Sequence, residues 1–394
     1  MIEVADILSK YGEAYREKYK LPLHTLKTMS AIEFCRTDKL GGHIDKCDEC
    51  GHIRISYNSC RNRHCPKCQS LNKERWLKDR KKDLLPTQYF HVVFTIPDEL
   101  NPLTLRNKKE IYSILFKASS ETLIELSEDI KYLGANIGFI SILHTWGQNL
   151  MDHPHIHCIV TGGGLSLDEK RWISSKKDFF IPVKVMSRLF RGKFLYYLKK
   201  SYYNSKLKFD GTINGLAVKK EFQKLIDNLY KKEWVVYSKP PFRSAEYVLE
   251  YLGKYTHKIA ISNHRILKLE DNKVTFKWRD YRDDNKNKTI TLDVFEFIRR
   301  FLLHILPRGF VKIRHYGILS NRNRITKLKK CKQLLKVFKK TMNAKAKESW
   351  QELILRLTGV DYTICPCCGK GHMVRTKKIN PRCYSPPGVK MSVA

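Results

Sequence analysis

A chain of 394 residues with 42% hydrophobic content carries enough apolar material for at least one buried core and enough length for two or three domains, which excludes wholesale disorder. Its 75 Lys and Arg against 39 Asp and Glu leave a formal charge of +36, so a polyanion is the natural partner. Neutralising phosphates releases condensed counterions, which favours nucleic acid, whereas no run approaches the roughly 20 apolar residues of a membrane span.

Met1 opens a charged stretch with Ile2, Ala5, Leu8 and Tyr11 at helical spacing, as on a surface helix and unlike a signal peptide. The expected location is cytoplasmic, with no membrane contact. There the 12 cysteines, mostly in two short regions, read as metal ligands rather than disulfides. Residues 35–68 hold too few apolar side chains for a core of their own, so metal must substitute. Cys47-x2-Cys50 and Cys65-x2-Cys68, 14 residues apart, form two knuckles expected to close one tetrahedral zinc site. Cys35, His43, Cys60 and His64 lie in the same window and would suit a second zinc ion. Arg61 and Arg63, within Cys60-Arg-Asn-Arg-His64, supply cations for DNA contacts.

Tyr89–Pro97 reads as a strand by its β-branched and aromatic content. Ile137–Trp146 and His155–Thr161 read as a hairpin about the polar turn Gly147–Asp152. In His153-Pro-His155-Ile-His157, alternation puts His155 and His157 on one face of a strand. Such a pair is more often buried core histidine than metal ligand, but the hairpin places His144 opposite and so offers a third imidazole. Gln148 and His153 are the rival third ligands. Three such donors leave coordination positions open for a phosphate oxygen, a site for Mg2+ or Mn2+ acting as a Lewis acid.

A basic region of about 70 residues, poor in motifs, follows. From Ser244, a plausible N-cap, Tyr247, Tyr251 and Tyr255 recur every four residues and line one helix face. An aromatic core stripe is the plainer reading. Against it stand Gly253, whose missing side chain would let a DNA backbone approach, and the cations Lys254 and Lys258 beside the tyrosines. Ile259–Ile261 reads as a strand. Between Arg322 and Lys347 eleven Lys or Arg interleave with apolar residues and no acid, the pattern of a basic amphipathic helix or pair of helices. Near the end, Cys365-Pro-Cys-Cys368 makes a further knuckle without an obvious second half, for which His372 or Cys383 would serve. Thr161-Gly-Gly-Gly164 lacks the Lys of a phosphate loop, and no nucleotide cofactor is expected.

The knuckles, His155-Ile-His157 and Tyr251-x3-Tyr255, in that order, resemble the rolling-circle transposases of the insertion-sequence ninety-one family, within the histidine-hydrophobe-histidine (HUH) endonucleases. Asn58–Gln69, His144-Thr-Trp-Gly-Gln148, His153–Gly164, Tyr251–His257 and Arg314-His-Tyr-Gly317 carry the resemblance. It implies an α+β fold: a ferredoxin-like antiparallel sheet holding the histidines, an N-terminal zinc-binding module and a basic helical C-terminal region. The implied division is a zinc module at 1–80, a nuclease domain at 81–320 with an insertion near 168–240, and a tail at 321–394. It further implies that Tyr251 and Tyr255 are the paired catalytic tyrosines. They would cut single-stranded DNA at element ends through a 5′-phosphotyrosine, join it to target DNA, and rely on host replication or helicase functions in a bacterial nucleoid. A non-catalytic zinc-dependent DNA-binding regulator would explain the charge and the knuckles but not the histidines and tyrosines. A plasmid replication initiator or relaxase would share the chemistry but not the leading zinc module.

Overall fold

The computed structural model describes residues 1–394 except 179, 243–246, 249–250, 252, 254–258, 281–282, 338–347 and 383–394. Helices mix with three antiparallel sheets, as the α+β expectation requires. Strands β1 (Gly42–Cys47) and β2 (Ile53–Tyr57) form a hairpin. The central sheet takes β3 (Tyr89–Thr95), β4 (Ala135–Trp146), β5 (Asp152–Ser166), the short β6 (Trp172–Ser174) and β7 (Val236–Phe242). A separate meander, β8 (Ile266–Glu270), β9 (Lys273–Asp280) and β10 (Lys286–Asp293), follows, before β11 (Ile313–Gly317) returns to the central sheet. Its order is β11-β4-β5-β3-β7, with β6 on β5.

The hairpin expected over 137–161 is the pair β4–β5. Its turn is pinned from outside, because Arg265 and Arg300 donate to the carbonyls of Gln148 and Asn149, and buried His304 Nε2 lies 3.0 Å from the Leu150 carbonyl. Alternation then sorts the sheet's two faces. Phe90, Val92, Phe94, Phe139, Leu143, Ile156, Cys158 and Val160 pack against helices Lys108–Glu128 and Val183–Tyr203. The opposite face carries Ile140, Ile142 and Ile159 and receives Val248, Leu328 and Cys331.

Several expectations need correction. The stretch 168–240, expected as an insertion in the nuclease domain, packs into the main core: Met186, Phe190, Phe194 and Leu198 recur at helical spacing and are fully buried, and β7 is the sheet's edge strand. Lack of chemical motifs hid an ordinary core helix. The first helix, Val4–Lys18, does bury Ala5 and Leu8, but with Val4 and Ile7 it forms a second core against Phe276 of the meander and Phe297 of helix Val294–Leu303. Residues 259–261 are not a strand; Ala260 and Ile261 are buried in that second core as irregular chain. Of the basic stretch, Lys327–Leu334 is a helix, its Leu328 and Cys331 facing the central sheet, while 338–347 lie outside the described residues. The tail is not separate, since β12 (Met373–Ile379) pairs with β1 and completes the sheet β12-β1-β2. No described helix is long and apolar enough to cross a membrane.

Because Phe190 sits wholly buried among Phe94, Phe194 and Trp234, Phe190→Ala is expected to destabilise the chain by about 3–5 kcal/mol. A thermal-unfolding midpoint within a degree of wild type would show that this helix is peripheral after all.

Candidate active site and cysteine centres

Register decides what the histidines can do. His144 stands directly opposite His155 across β4–β5, and His157 follows on the same face. The ligand-capable nitrogens of His144, His155 and His157 all lie within 4.8 Å of one another, with His155 Nε2 and His157 Nε2 3.0 Å apart. His144 and His157 are buried and His155 forms the lip. His155 Nδ1 lies 2.6 Å from the His153 carbonyl, which fixes the proton there and leaves Nε2 as a lone-pair donor toward the cluster. The His153 ring also lies beside His155, with centroids 5.0 Å apart, but the ligand-capable atoms that converge among the described residues are those of His144, His155 and His157. Trp146 stacks on His144 at 4.9 Å between ring centroids.

A fourth histidine was not singled out from sequence. His91 on β3 stacks on His157, its Nε2 2.8 Å from His157 Nδ1, and the Tyr251 hydroxyl lies 3.0 Å from His91 Nδ1 and 2.9 Å from its Nε2. Burial, with Lys239 and His155 adding to it, pushes its pKa down to about 3, so His91 is neutral near pH 7. An imidazole inside the apolar run Tyr89–Thr95 was the available signal; its neighbours come from another strand and a distant helix, which spacing cannot reveal.

Tyr251 is half-buried and helical, Val248 one turn before it is buried, and Tyr247 points to solvent. Tyr255, Lys254 and Lys258 lie outside the described residues. Gly253 is not an opening for DNA. A Cβ there would come within 2.9 Å of Lys73 and Leu77, so the close approach it permits is that of helix Gln69–Lys81.

The cysteines group differently from the expectation. Cys35, Cys60, Cys65 and Cys68 form one cluster, and Cys47 and Cys50 join Cys365 and Cys368 in another. The β1–β2 hairpin is the reason. Cys35 and Cys60 flank its base and meet Cys65 and Cys68 there, while Cys47 and Cys50 ride at its tip, about 15–20 Å away at the rise of a strand. Sulfurs about 2.3 Å from a tetrahedral zinc stand about 3.8 Å apart. Cys35 and Cys60 lie 3.5 and 3.6 Å from Cys68, so the cluster fits a structural zinc. His43 instead pairs with Asp45 at 3.5 Å, and half-buried His64, pushed down to about 3 mainly by desolvation, accepts the Leu306 N–H. His372 offers its backbone to Asp48, and Cys383 lies outside the described residues.

Comparison with known proteins places the chain in a family. Residues 7–96 match the model described as "Transposase zinc-binding domain", and 138–327 the one described as "Putative transposase". The chain is 48% identical over 389 residues to "Putative transposase y4qJ" of Sinorhizobium fredii (strain NBRC 101917 / NGR234), covering 97% of this chain and 98% of that one. The chain belongs to the rolling-circle insertion-sequence transposases of the IS91 family. It is also 26% identical over 358 residues to "Transposase for insertion sequence element IS801" of Pseudomonas savastanoi pv. phaseolicola, with 90% and 84% of the two chains covered. No solved structure matches it.

Two further groups of this transposase bear on the site. Arg61 and Arg63 are both exposed, but Arg63 donates to the carbonyls of Pro307 and Phe310 and so ties the cysteine module to the chain leading into β11. Asp152, at the start of β5, has no hydrogen-bond partner for either carboxylate oxygen among the described residues, and burial pushes its pKa up to about 7 against the pull of Lys108. A carboxyl with its folded pKa raised binds protons more readily when folded, so stability falls as pH rises from about 4 to about 7. Asp152→Asn is therefore expected to raise the unfolding midpoint at pH 8, by an amount on the order of a few kcal/mol, and to leave it unchanged at pH 4. Equal gains at both pH values would contradict that origin.

Proposed function

We propose that the chain cuts and rejoins single-stranded DNA at the ends of its insertion sequence, with Tyr251 as nucleophile on an HUH-type, ferredoxin-like sheet. The observation that carries this reading is the continuous contact from Tyr251 through His91 to His157 and His155. The donor set fits a divalent ion: His155 has its Nδ1 proton fixed on a carbonyl, three imidazoles converge, and one side is open to solvent. Mg2+ or Mn2+ held there supplies Lewis-acid polarisation of the scissile phosphate.

The protein's own groups then have definite tasks. With Nε2 of His157 turned into the cluster, its Nδ1 carries the proton and donates it to His91 Nε2. The His91 ring lies against the phenolic oxygen, 3.0 Å from it at Nδ1 and 2.9 Å at Nε2, and so holds Tyr251 in place beside His157 as the hydroxyl proton leaves to solvent. Attack forms the Tyr251 oxygen–phosphorus bond and breaks the bond to the 3′-oxygen, which takes up a proton. The phosphodiester energy stays in a 5′-phosphotyrosine, so a second 3′-hydroxyl reverses the step without nucleotide hydrolysis. Tyr255 is the candidate second nucleophile, Arg61, Lys254 and Lys258 are candidate DNA contacts, and strand opening falls to host replication or helicase functions.

Labelled single-stranded DNA carrying the element's end, incubated with the protein and Mg2+ or Mn2+, is expected to give a covalent adduct that survives denaturing electrophoresis. Tyr251→Phe should remove it, Tyr255→Phe should leave the first cut intact, and the His155→Ala/His157→Ala double variant should bind DNA without cutting. His91→Gln is expected to slow cleavage about 10–100-fold, the usual cost of losing a group that orients a ligand. Metal-dependent cleavage persisting in the double histidine variant would overturn the assignment, and tight binding with no cleavage by wild type would favour the regulator.

A further inference from the structure

We propose that Cys47, Cys50, Cys365 and Cys368 bind a second zinc ion that fastens the two ends of the chain together. The match to the zinc-binding domain stops at residue 96, far short of two of these ligands. Cys50 and Cys365 Sγ lie 3.6 Å apart and Cys47 and Cys368 Sγ 3.8 Å, the edge lengths of a zinc tetrathiolate and nearly twice a disulfide bond.

Two independent features mark a built site. Both knuckles follow one pattern, Cys-x2-Cys-Gly: Gly51 and Gly369 each take a left-handed backbone, at φ +72° and +67°, that turns the chain under the sulfurs. Backbone N–H groups are aimed at the thiols, Cys50 N on Cys47 Sγ at 3.5 Å, Cys367 N on Cys365 Sγ at 3.4 Å and Gly371 N on Cys368 Sγ at 3.3 Å. Such donors favour thiolate over thiol, so binding sends the four protons to solvent and leaves a dianionic centre. Gly371 is required as well, because a Cβ there would lie 2.5 Å from Cys47 Sγ.

The neighbourhood is shaped to hold the ends together around that ion. Asp48 N donates to the His372 carbonyl at 3.1 Å and His372 N to Asp48 Oδ1 at 2.7 Å. Next to them β12 adds to β1, and buried Asp45 gathers Arg54 from β2 and Arg375 from β12. The strand β12 has little apolar area to keep it in place, with five consecutive exposed residues between Val374 and Lys378. The metal supplies the attachment that burial does not.

Zinc content and thiol reactivity of the full chain test this independently of DNA cleavage. After dialysis against a weak chelator under reducing conditions, wild type is expected to retain two zinc ions per chain. Cys365→Ser/Cys368→Ser and Cys47→Ser should each retain one, and Cys367→Ser two. Brief alkylation of the wild type, read by peptide mass spectrometry, keeps the test sound if a variant misfolds. Cys50 and Cys367 are both exposed, so burial treats them alike. Cys367 is expected to react at once and Cys50 only after a strong chelator is added, together with Cys47, Cys365 and Cys368. Equal labelling of Cys50 and Cys367 before chelation, or one zinc per wild-type chain, would overturn the proposal.

Discussion

Pairing of β4 with β5 fixes the alternation on which both faces of the central sheet depend. Facing residues in the pair share a side, so one register sends Phe139, Leu143, Ile156 and Val160 to the helical core and His144, His155 and His157 to the other face. A slip of one residue would exchange them, burying imidazoles among phenylalanines and exposing the core set. The penalty at every position acts in the same direction, so the apolar face that stabilises the domain also holds the histidines in place. The outer contacts of Arg265, Arg300 and His304 with the turn guard the same register from its closed end.

What could be read from sequence follows from how local each constraint is. The hairpin was legible because its period-two pattern and its turn lie within about thirty residues, and the nearness of His144 to His155 and His157 came with it. Of the tyrosine stretch only residues 247, 248, 251 and 253 are described, and they are helical as expected, but the contact of Tyr251 with His91 required knowing that β3 pairs with β5. The cysteines were legible as metal ligands and illegible as sets: proximity in sequence suggested joining Cys47 to Cys65, while a rigid hairpin holds those positions apart. The true partners of Cys47 and Cys50 are more than three hundred residues away. The segment 168–240 failed for the opposite reason. It was read for chemistry, and its information was Phe190, Phe194 and Leu198, which concern packing alone.

The net charge of +36 overstates what is free to meet DNA. Arg63 is bound to backbone carbonyls, Arg54 and Arg375 flank buried Asp45, Arg324 is paired with Asp83, and Lys108 reaches the Leu303 carbonyl. These cations hold segments to one another, and most do so between parts of the chain far apart in sequence. Their removal would loosen the architecture before it weakened a phosphate contact, so lost DNA binding in an arginine variant has two separable causes.

The cysteine module and the tyrosine helix, finally, are mechanically joined. Cys68 belongs to the first cluster and is also the residue from which helix Gln69–Lys81 starts. That helix carries Lys73 and Leu77 onto Gly253, two residues beyond Tyr251, and Trp76 into the apolar layer beside the sheet. A metal that fixes Cys68 therefore fixes the base of a rod lying on the tyrosine helix, and Arg63 and His64 clamp the same cluster to the Leu306–Phe310 loop. At Gly253 a Cβ would come within 2.9 Å of the ends of the Lys73 and Leu77 side chains, so those side chains would have to shift to admit one. Glycine in a helix costs about 1 kcal/mol relative to alanine, and here it leaves room for the Lys73 and Leu77 side chains to pack two residues from Tyr251. The zinc-binding module is thus tied by packing, through helix Gln69–Lys81, to the stretch of chain that carries Tyr251.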